Sequence, residues 1–381
     1  MAAFASAMAE RLPDLLAGVE ELVRCESPSE DPAAVVACAG VVAGLGTRLT
    51  GTAPEWLDGS GPATLRWRFG SGDRVLLLGH FDTVWPVGSL ARHPFEVTGG
   101  RLTGPGCFDM KAGLVQLFHA LSVLDDLDGV SVLLTGDEEI GSPGSRALIE
   151  AEARRTRAAL VLEASEGGAL KTVRKGVSGY ELRIAGRAAH AGLEPERGVN
   201  TTTELAHQVL ALSALADPAA GTTVTPTVAS SGTTRNTVPD AARLVVDVRV
   251  GSAGEQARVD RGMRRLAPVL DGASLRLSGG PNRPPLAAGA SAELFGRARG
   301  HYAELGFGTL RGVAVGGGSD GNLTAGVGTP TLDGLGAVGG GAHADDEHVT
   351  VAELPRRAAL VAALVDSLVR EPLAGTDRVE P

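Results

Sequence analysis

Three short apolar segments of the sequence each run directly into side chains that can bind a metal ion. The segments and the side chains that follow them are 75–78 with His80 and Asp82, 130–135 with Asp137, Glu138 and Glu139, and 159–162 with Glu163. Continuous apolar runs of this length are typical of strands buried in a parallel sheet. Open α/β sheets bind ligands beyond the carboxyl ends of their strands. We therefore expect these side chains to meet at one edge of a sheet.

Strands and helices alternate through the first half of the chain, which predicts an α/β fold. The predicted helix at 109–124 is amphipathic, with Leu114, Leu117, Phe118 and Leu121 on one face. The other predicted elements here are a helix at 8–25, strands at 64–70, 74–79, 130–135 and 159–162, and a helix at 145–155.

From about Gly176 the pattern changes to the order strand, helix, strand, strand, helix, strand, which is the ferredoxin-like order. These elements are predicted at 180–184, 200–215, 222–229, 243–250, 255–267 and 273–278. Residues 279–285 are rich in glycine and proline and are predicted to be a linker. The α/β pattern then resumes at 313–315, 329–332 and a closing helix, 355–369. We therefore expect a domain at 176–283 inserted into a discontinuous domain of 1–175 and 284–381.

Length and composition limit the class of protein. A chain of 381 residues usually forms two domains. A net charge of −10 disfavours nucleic acid and anionic membrane as partners. Three cysteines without C-x-x-C spacing support neither a disulfide framework nor a zinc finger. Charged residues interrupt the N-terminal segment, and no run approaches the roughly 18 apolar residues of a membrane span, so we expect a cytoplasmic protein.

The first candidate metal ligands are His80 and Asp109. Asp82 lies on the same side of the strand as His80 and could orient the imidazole, although an isolated His-x-Asp is more often a polar loop. Asp109 follows a Gly-Pro-Gly turn and opens a predicted helix. It is either an acid favoured by the helix dipole or a carboxylate that bridges two cations.

The acidic triplet 137–139 follows a buried strand, where three carboxylates would repel one another without a cation. Two adjacent glutamates can divide the work, because one binds metal while the other handles the proton of an activated water. Glu163 gains significance from its place beside the other strand ends. His343 lies in a glycine-rich loop that would let an imidazole reach a buried ion; the alternative is a solvent-exposed histidine.

These residues occur in the order found in a known enzyme family. His80-x-Asp82, Gly106-x-x-Asp109, 137–139, Glu163 and His343 resemble the pattern of the dizinc aminoacylase/carboxypeptidase family. That family includes acetylornithine deacetylase and succinyl-diaminopimelate desuccinylase. The segments GHFDTVWPVG, FEVTGGRLTGPGCFDMKAG, TGDEEIGSPGSR and GGGSDGN are most similar to its glutamate carboxypeptidase (carboxypeptidase G) branch.

The resemblance implies a mixed-sheet catalytic domain that holds two zinc ions, for which cobalt or manganese could substitute. Asp109 would bridge both ions. The other implied ligands and catalytic groups are His80 and Glu163 for one ion, Glu139 and His343 for the other, Asp82 to orient His80, and Glu138 as general base. The Asp109–Met110 peptide bond would be cis.

The resemblance also implies roles for residues of the inserted domain, which would act as a lid and form a homodimer through 176–283. His190, in a G-x-x-x-H-A-G segment, would stabilise the oxyanion in a neighbouring subunit; taken alone it is a turn histidine. Asn236 and Arg249 would bind the substrate carboxylate, although Arg249 could equally be a solvated strand residue. The loop with Gly317, Gly318 and Ser319 lacks the ending of a Walker loop and would line the substrate pocket.

The sequence therefore predicts a dinuclear zinc hydrolase that cleaves an amide bond next to a free carboxylate. Its substrate would be a short peptide or an N-acyl amino acid, and it would release a C-terminal amino acid. Deacylation of an N-acyl amino acid is the alternative within the same chemistry. A metal-stabilised binding protein without turnover is the alternative of another class, and the presence of Glu138 argues against it.

Overall fold

The computed structural model of the protein describes residues 1–57, 63–371 and 373. The chain divides into two compact units. Unit 1 comprises residues 1–173, 286–315 and 319–381, and unit 2 comprises residues 174–285 and 316–318. The last residues of the range predicted for the discontinuous domain, 372 and 374–381, lie outside the described residues.

Ten α-helices are formed by the described residues. They are α1 (Ala2–Glu10), α2 (Leu12–Arg24), α3 (Pro32–Thr50), α4 (Ala112–Leu121), α5 (Arg146–Arg155), α6 (Thr201–Ser213), α7 (Ala253–Arg264), α8 (Ala288–Glu304), α9 (Gly321–Gly326) and α10 (Leu354–Arg370).

The strands in the same part of the chain are β1 (Glu55–Trp56), β2 (Leu65–Arg68), β3 (Val75–His80), β4 (Glu96–Thr98), β5 (Arg101–Thr103), β6 (Val130–Thr135), β7 (Ala158–Val161), β8 (Leu170–Arg174), β9 (Gly176–Ala185), β10 (Ala189–His190), β11 (Thr223–Ser231), β12 (Thr237–Val238), β13 (Ala241–Val250), β14 (Ser274–Arg283), β15 (Gly312–Val315), β16 (Thr331–Leu332), β17 (Gly339–Gly340) and β18 (His348–Thr350).

Unit 1 is built around a six-stranded sheet with the order β1-β2-β6-β3-β7-β16. The strands β6, β3, β7 and β16 run parallel, and β2 joins β6 antiparallel. Parallel strands cannot be joined by a tight turn, so the chain crosses over between them, usually through a helix. Such helices cover both faces of the sheet. The sheet is therefore mixed, and the predicted α/β class is confirmed.

The strand β3 shows why the apolar runs are continuous. Val75 and Leu77 belong to the large core cluster that contains residues of α4 and α10, whereas Leu76 and Leu78 pack in a second cluster with residues of α5. Successive side chains of a strand point to opposite faces. Because both faces of this sheet are covered, an apolar residue is needed at every position.

A smaller sheet in unit 1 joins two segments that are distant in sequence. Its order is β17-β18-β5-β4. The loop 341–347 connects β17 to β18, and β18 pairs with β5, with His348 opposite Thr103. The turn that carries Asp109 follows β5 directly. This pairing therefore brings the loop that contains His343 close to that turn.

Unit 2 follows the order β9, α6, β11, β13, α7, β14, with the short strands β10 and β12 added. Its four long strands form an antiparallel sheet with the order β11-β13-β9-β14. Buried and more exposed residues alternate along β9, where Tyr180, Leu182 and Ile184 are buried. One face of this sheet therefore packs in its own core while the other remains open, as is common for antiparallel sheets.

Three sequence predictions about element boundaries are wrong. The predicted linker at 279–285 is largely strand, because β14 continues to Arg283 and residues 279–281 pair with β9. The first predicted helix is two helices, α1 and α2, separated at Arg11. The predicted helix at 109–124 begins only at Ala112, since residues 107–111 form a wide turn.

The expectation that no segment has the length and composition of a membrane span is also wrong. Among the described residues, α3 is long and apolar enough, with 19 residues and a mean hydropathy of 1.6. One side of α3 lies in the core through Val35, Cys38 and Val42, which are at most 1% exposed. Its first turn is capped by Asp31, whose carboxylate accepts hydrogen bonds from two backbone N–H groups.

Candidate metal centre and active site

His80 is the last residue of β3 and is held between two sets of carboxylates. Its Nδ1 lies 3.0 Å from the backbone oxygen of Asp82 and 3.3 Å from the Asp82 Oδ1. Its Nε2 lies 3.4 Å from the Asp109 Oδ1 and 3.6 Å from the Glu163 Oε1. Glu163 follows β7, which pairs in parallel with β3. The predicted meeting of strand ends is therefore present.

Asp109 lies in the wide turn before α4, in an extended conformation with φ −116° and ψ 95°. It does not cap the helix, because the N-cap residue of α4 is Lys111. The backbone N–H groups of Phe108 and Asp109 donate to the Glu347 Oε1 over 2.9 and 3.0 Å. The Asp109–Met110 peptide bond is cis, as the resemblance implied.

The three acids 137–139 point in different directions. The Asp137 carboxylate is buried and accepts hydrogen bonds from the Ser145 hydroxyl at 2.5 Å and the Gly144 N–H at 2.7 Å, so it shapes the loop before α5. The Glu139 Oε2 lies 3.2 Å from the His343 Nε2. A carboxylate oxygen of Glu138 lies within 4.8 Å of ligand atoms of His80 and Glu163. The two glutamates thus occupy different parts of the cluster.

Asp82 fixes more than the imidazole that it was expected to orient. Its Oδ1 accepts the Glu138 N–H at 3.2 Å, and its Oδ2 accepts the Glu139 N–H at 3.1 Å. The Ser29 hydroxyl donates to the same Oδ2 at 2.6 Å. One buried carboxylate therefore connects His80 to the backbone of both glutamates. The role of Ser29 was missed, because an isolated serine between a predicted helix and a predicted strand carries no local signal.

His343 lies in the loop 341–347 with a left-handed φ of 63°. Its Nε2 is 3.4 Å from the Asp109 Oδ2 and 3.2 Å from the Glu139 Oε2, and its side chain is 49% exposed. The two carboxylate oxygens of Asp109 therefore face different imidazoles, Oδ1 towards His80 and Oδ2 towards His343. This is the arrangement expected of a carboxylate that serves two cations.

The electrostatics of the cluster favour added positive charge. The carboxylates of Asp109 and Glu139 raise the pKa of His343 to about 10. Burial disfavours a charged imidazole at His80, yet the surrounding carboxylates raise its pKa well above the usual range. Burial also disfavours a charged carboxylate at Asp109, but the two histidines hold its pKa below the usual range. Both imidazoles thus lie where positive charge is favoured, and a divalent cation would supply such charge.

Three buried atoms of the cluster have no hydrogen-bond partner within the described part of the chain, namely the His80 Nε2, the Asp109 Oδ1 and the Glu139 Oε1. Buried polar atoms are nearly always satisfied, so an unsatisfied group needs an explanation. Imidazole nitrogen and carboxylate oxygen are zinc ligands. His80, Asp109 and Glu139 also offer ligand atoms within 4.8 Å of one another. The donor set therefore fits a metal ion.

Comparison with known proteins agrees with this geometry. Residues 76–367 match the family described as peptidase family M20/M25/M40. The chain belongs to this family. It is 32% identical over 382 residues to carboxypeptidase G2 from Pseudomonas sp. (strain RS-16), which covers 95% of this chain and 91% of that protein. The family predicted from the motifs is confirmed, and the protein is an M20 family peptidase.

Other relatives of this peptidase act on acylated amino acids, according to their names. A succinyl-diaminopimelate desuccinylase from Methylorubrum extorquens is 30% identical over 389 residues, covering 92% of this chain and 98% of that protein. Among solved structures, an M20 family metallo-carboxypeptidase from Sulfolobus solfataricus has a TM-score of 0.76 at 15% identity, covering 93% of this chain and 99% of that chain. The latter likeness shows the fold.

His190 of the peptidase lies in unit 2 on β10, which pairs with β12. The side chain is exposed, and its Nδ1 accepts the N–H groups of Gly192 at 3.2 Å and Leu193 at 3.1 Å. A neutral imidazole that accepts at Nδ1 carries its proton on Nε2. His190 therefore presents a fixed N–H donor. The backbone oxygen of Asn236 accepts the Ala191 N–H at 2.9 Å, which brings Asn236 next to this histidine.

The other predicted substrate-binding residues have partners of their own. Arg249 forms a bidentate pair with Asp247, with both the Nε–Oδ1 and the Nη2–Oδ2 distances at 2.9 Å. The carbonyl groups of Gly317 and Gly318 accept from the Arg174 Nη1 at 3.2 and 3.3 Å. In unit 1, Ser319 is fully buried and its hydroxyl donates to Asp333 at 2.5 Å. Their roles in substrate binding remain predictions.

Proposed function

We propose that this peptidase is a dinuclear zinc carboxypeptidase that hydrolyses an amide bond next to a free carboxylate. The observation that carries the proposal is the orientation of Asp109, whose two carboxylate oxygens face His80 and His343. A single carboxylate shared in this way is what two neighbouring ions require. The proximity of Glu138 adds a group that can move a proton.

In this proposal, His80 and Glu163 would hold one zinc ion, Glu139 and His343 would hold the other, and Asp109 would be a ligand of both. Zinc bound here would polarise the carbonyl of the scissile amide and make water acidic enough to supply a nucleophile near neutral pH. Asp82 keeps the Nδ1 side of His80 occupied, so the Nε2 faces the centre. This is the usual way in which a neighbouring carboxylate orients a metal-binding histidine.

Glu138 acts as the general base. It takes a proton from the attacking water and then delivers that proton to the leaving amine. Its side chain is half-buried, and its backbone N–H is held by Asp82 at 3.2 Å. Asp82 also holds the next N–H, that of Glu139, so the two adjacent glutamates have a fixed backbone from which their side chains diverge.

Unit 2 would contribute the oxyanion donor and, apart from Ser319 of unit 1, the substrate contacts. We assign unit 2 as a ferredoxin-like lid and dimerisation domain, with His190 acting in the active site of the neighbouring subunit. Its Nε2–H is available because the Nδ1 accepts two backbone N–H groups. Asn236, Arg249 and the loop 317–319 would bind the substrate carboxylate. Arg249 would have to exchange its partner Asp247 for the substrate.

The similarity to carboxypeptidase G2 over 95% of the chain favours release of a C-terminal amino acid, with glutamate as the first candidate. Deacylation of an N-acyl amino acid is the second candidate. It is supported by the desuccinylase from Methylorubrum extorquens, which is 30% identical over 92% of the chain. Both reactions use the same attack on an amide carbonyl, and they differ in which side of the bond carries the recognised group.

Paired substrates would test the proposal. Protein freed of metal with a chelator is reloaded with zinc, cobalt or manganese and given dipeptides, folate-like glutamate conjugates and N-acyl amino acids. Each substrate is matched to an analogue whose free carboxylate is a carboxamide, and products are measured by mass spectrometry. We expect metal-dependent release of an amino acid from the carboxylates and little from the carboxamides. Equal turnover of both, or turnover without metal, would contradict the proposal.

A further inference from the structure

Glu347 is a fully buried carboxylate surrounded by hydrogen-bond donors. Its Oε1 accepts the N–H groups of Phe108 at 2.9 Å and Asp109 at 3.0 Å. Its Oε2 accepts the N–H of Gly106 at 3.0 Å and the indole Nε1–H of Trp85 at 2.6 Å. The sequence did not indicate Glu347 as a functional residue.

All four donors are N–H groups, so both oxygens of Glu347 must act only as acceptors. Two oxygens that only accept suit this set of donors, whereas an NH₂ group in place of one oxygen would face two N–H groups. Burying a polar group is costly unless hydrogen bonds satisfy it. Four hydrogen bonds from one stretch of chain and one indole satisfy Glu347, which indicates that this side chain organises the turn.

The four bonds fasten the turn that carries Asp109. Gly106 has a left-handed φ of 69°, and three N–H groups from Gly106 to Asp109 converge on the one carboxylate. Trp85 stacks on His93 at a centroid distance of 5.4 Å, and the His93 Nε2 accepts the Gly104 N–H at 3.2 Å. The turn is thus held at both ends.

Glu347 belongs to the same loop, 341–347, that carries His343. The loop is closed on itself by backbone bonds from Ala344 to Gly341 and from Glu347 to Ala344, both 2.9 Å. One short loop therefore supplies the imidazole that faces the Asp109 Oδ2 and also the carboxylate that holds the Asp109 backbone. A shift of this loop would move the His343 imidazole and the turn of Asp109 together and preserve their relative position.

We propose that Glu347 is a positioning residue for the metal centre. It holds the backbone of Asp109 so that its carboxylate faces His343. The inference rests on the proposed function, because it assumes that Asp109 and His343 hold metal. It predicts that the two acceptor oxygens and the length of this side chain govern metal affinity, although none of its atoms is among the proposed ligands.

Glu347→Gln tests the pair of acceptor oxygens. The carboxamide replaces one acceptor oxygen with an NH₂ group that faces two N–H donors, so the turn must rearrange. Outer partners of metal ligands typically contribute about 10–100-fold to metal affinity. We expect chelator competition to show weakening in this range for at least one ion. At saturating zinc, kcat should fall while KM changes little. Glu347→Asp, which keeps both acceptor oxygens on a shorter side chain, should recover part of the affinity.

Glu152→Gln is the matched control. Glu152 is 3% exposed and paired with Arg68 and Ser131 at the opposite end of β6 from the metal centre. Its loss should lower the melting temperature and leave metal affinity unchanged. If Glu347→Gln behaves in the same way, with wild-type metal affinity and kcat, Glu347 is only structural and the inference is overturned.

Trp85→Phe provides a second measurement in case Glu347→Gln does not fold. It removes one donor and keeps the three backbone donors, so a smaller loss of metal affinity is expected. Wild-type metal affinity in both Trp85→Phe and Glu347→Asp would overturn the inference about Glu347 and leave the proposed function standing. Wild-type protein that binds no metal would instead overturn the proposed function, and the inference with it.

Discussion

The candidate functional residues of unit 1 and unit 2 are held in very different ways. In unit 1, His80 and Asp82 are at most 1% exposed, and Asp82 alone accepts three hydrogen bonds from separate residues. In unit 2, His190 is exposed on a two-residue strand and is oriented by two backbone N–H groups. Carboxylates that repel one another must be fixed before an ion arrives, whereas a substrate contact can remain open to solvent.

This contrast predicts two separable kinds of defect. Changes in unit 1 should alter metal content or the proton transfer that occurs beside the metal. Changes in unit 2 should lower turnover and leave metal content as it is in the wild-type protein. Measuring metal and turnover on the same preparation therefore tests the comparison, and a unit 2 variant that loses metal would contradict it.

Asp109→Ala should have the largest effect. Among the described residues, Asp109 is the one carboxylate whose two oxygens face both His80 and His343, so its removal should lose both ions and all measurable activity. Elemental analysis of protein purified without chelator should give about two zinc ions for the wild type and close to none for the variant. Retention of both ions would show that Asp109 does not bridge them.

Glu138→Gln should keep its metal and lose turnover. The change preserves shape but removes the group that accepts a proton, and general acid–base catalysis contributes about 10²–10⁴-fold. Metal analysis and steady-state kinetics on one preparation would check this. A near-normal kcat would show that another group transfers the proton. Loss of metal would show that Glu138 is a metal ligand, a role that its short distance to His80 and Glu163 also permits.

His190→Ala should retain both ions and lose about 10²–10³-fold in kcat, the usual effect of removing one oxyanion donor. His190 accepts only backbone N–H groups of its own turn, so its removal leaves the unit 1 network intact. Elemental analysis and kcat would check this. A loss of metal comparable to that of Asp109→Ala would break the separation of the two units.

Mixing His190→Ala with Glu138→Gln extends this test to the dimer. If His190 acts in the neighbouring subunit, a mixed dimer has one site with both defects and one site with neither. Activity should then recover, up to about half of the wild-type value per mixed dimer. Absence of recovery, when mixed dimers are shown to form, would place His190 in its own chain or outside the reaction.

Ser29→Ala should have the smallest effect. The Ser29 hydroxyl donates one 2.6 Å bond to Asp82, so its loss should loosen His80 and both glutamates slightly and weaken metal affinity about 10-fold. Ser71→Ala is the control, since Ser71 donates a similar 2.7 Å bond to the exposed Asp73. Equal metal affinity in the two variants would show that the Ser29 bond does not support the centre.

The sequence predicted the central sheet well because its signal is local. The strand 130–135 was predicted with its observed bounds, since an apolar residue is needed wherever both faces are covered. The strand at 279–283 was missed, because glycine and proline indicate a loop. There, pairing of Gly279 and Gly280 with β9 outweighed local preference.

The candidate site could be predicted where strand ends determined it. His80 ends β3 and Glu163 follows β7, and such parallel neighbours end at one edge of the sheet. Glu347 could not be predicted, because it is one of three consecutive acids. Asp345 and Asp346 are exposed and Glu347 is buried, and only the pairing of β18 with β5 decides which of the three faces the turn.

The interruption of unit 1 by unit 2 has a consequence for how the protein is made. A growing chain leaves the ribosome from its N-terminus, and domains generally fold in that order. Four of the five proposed ligands lie in the first segment of unit 1, whereas His343 and β16, a strand of the central sheet, are translated only after unit 2. Until then the nascent chain carries His80 and three acidic ligands, while the imidazole of His343 has yet to be synthesised. In the proposed arrangement, the pair Glu139 and His343 can therefore bind a metal ion only after the last segment of unit 1 is made, whereas His80, Asp109 and Glu163 are present earlier.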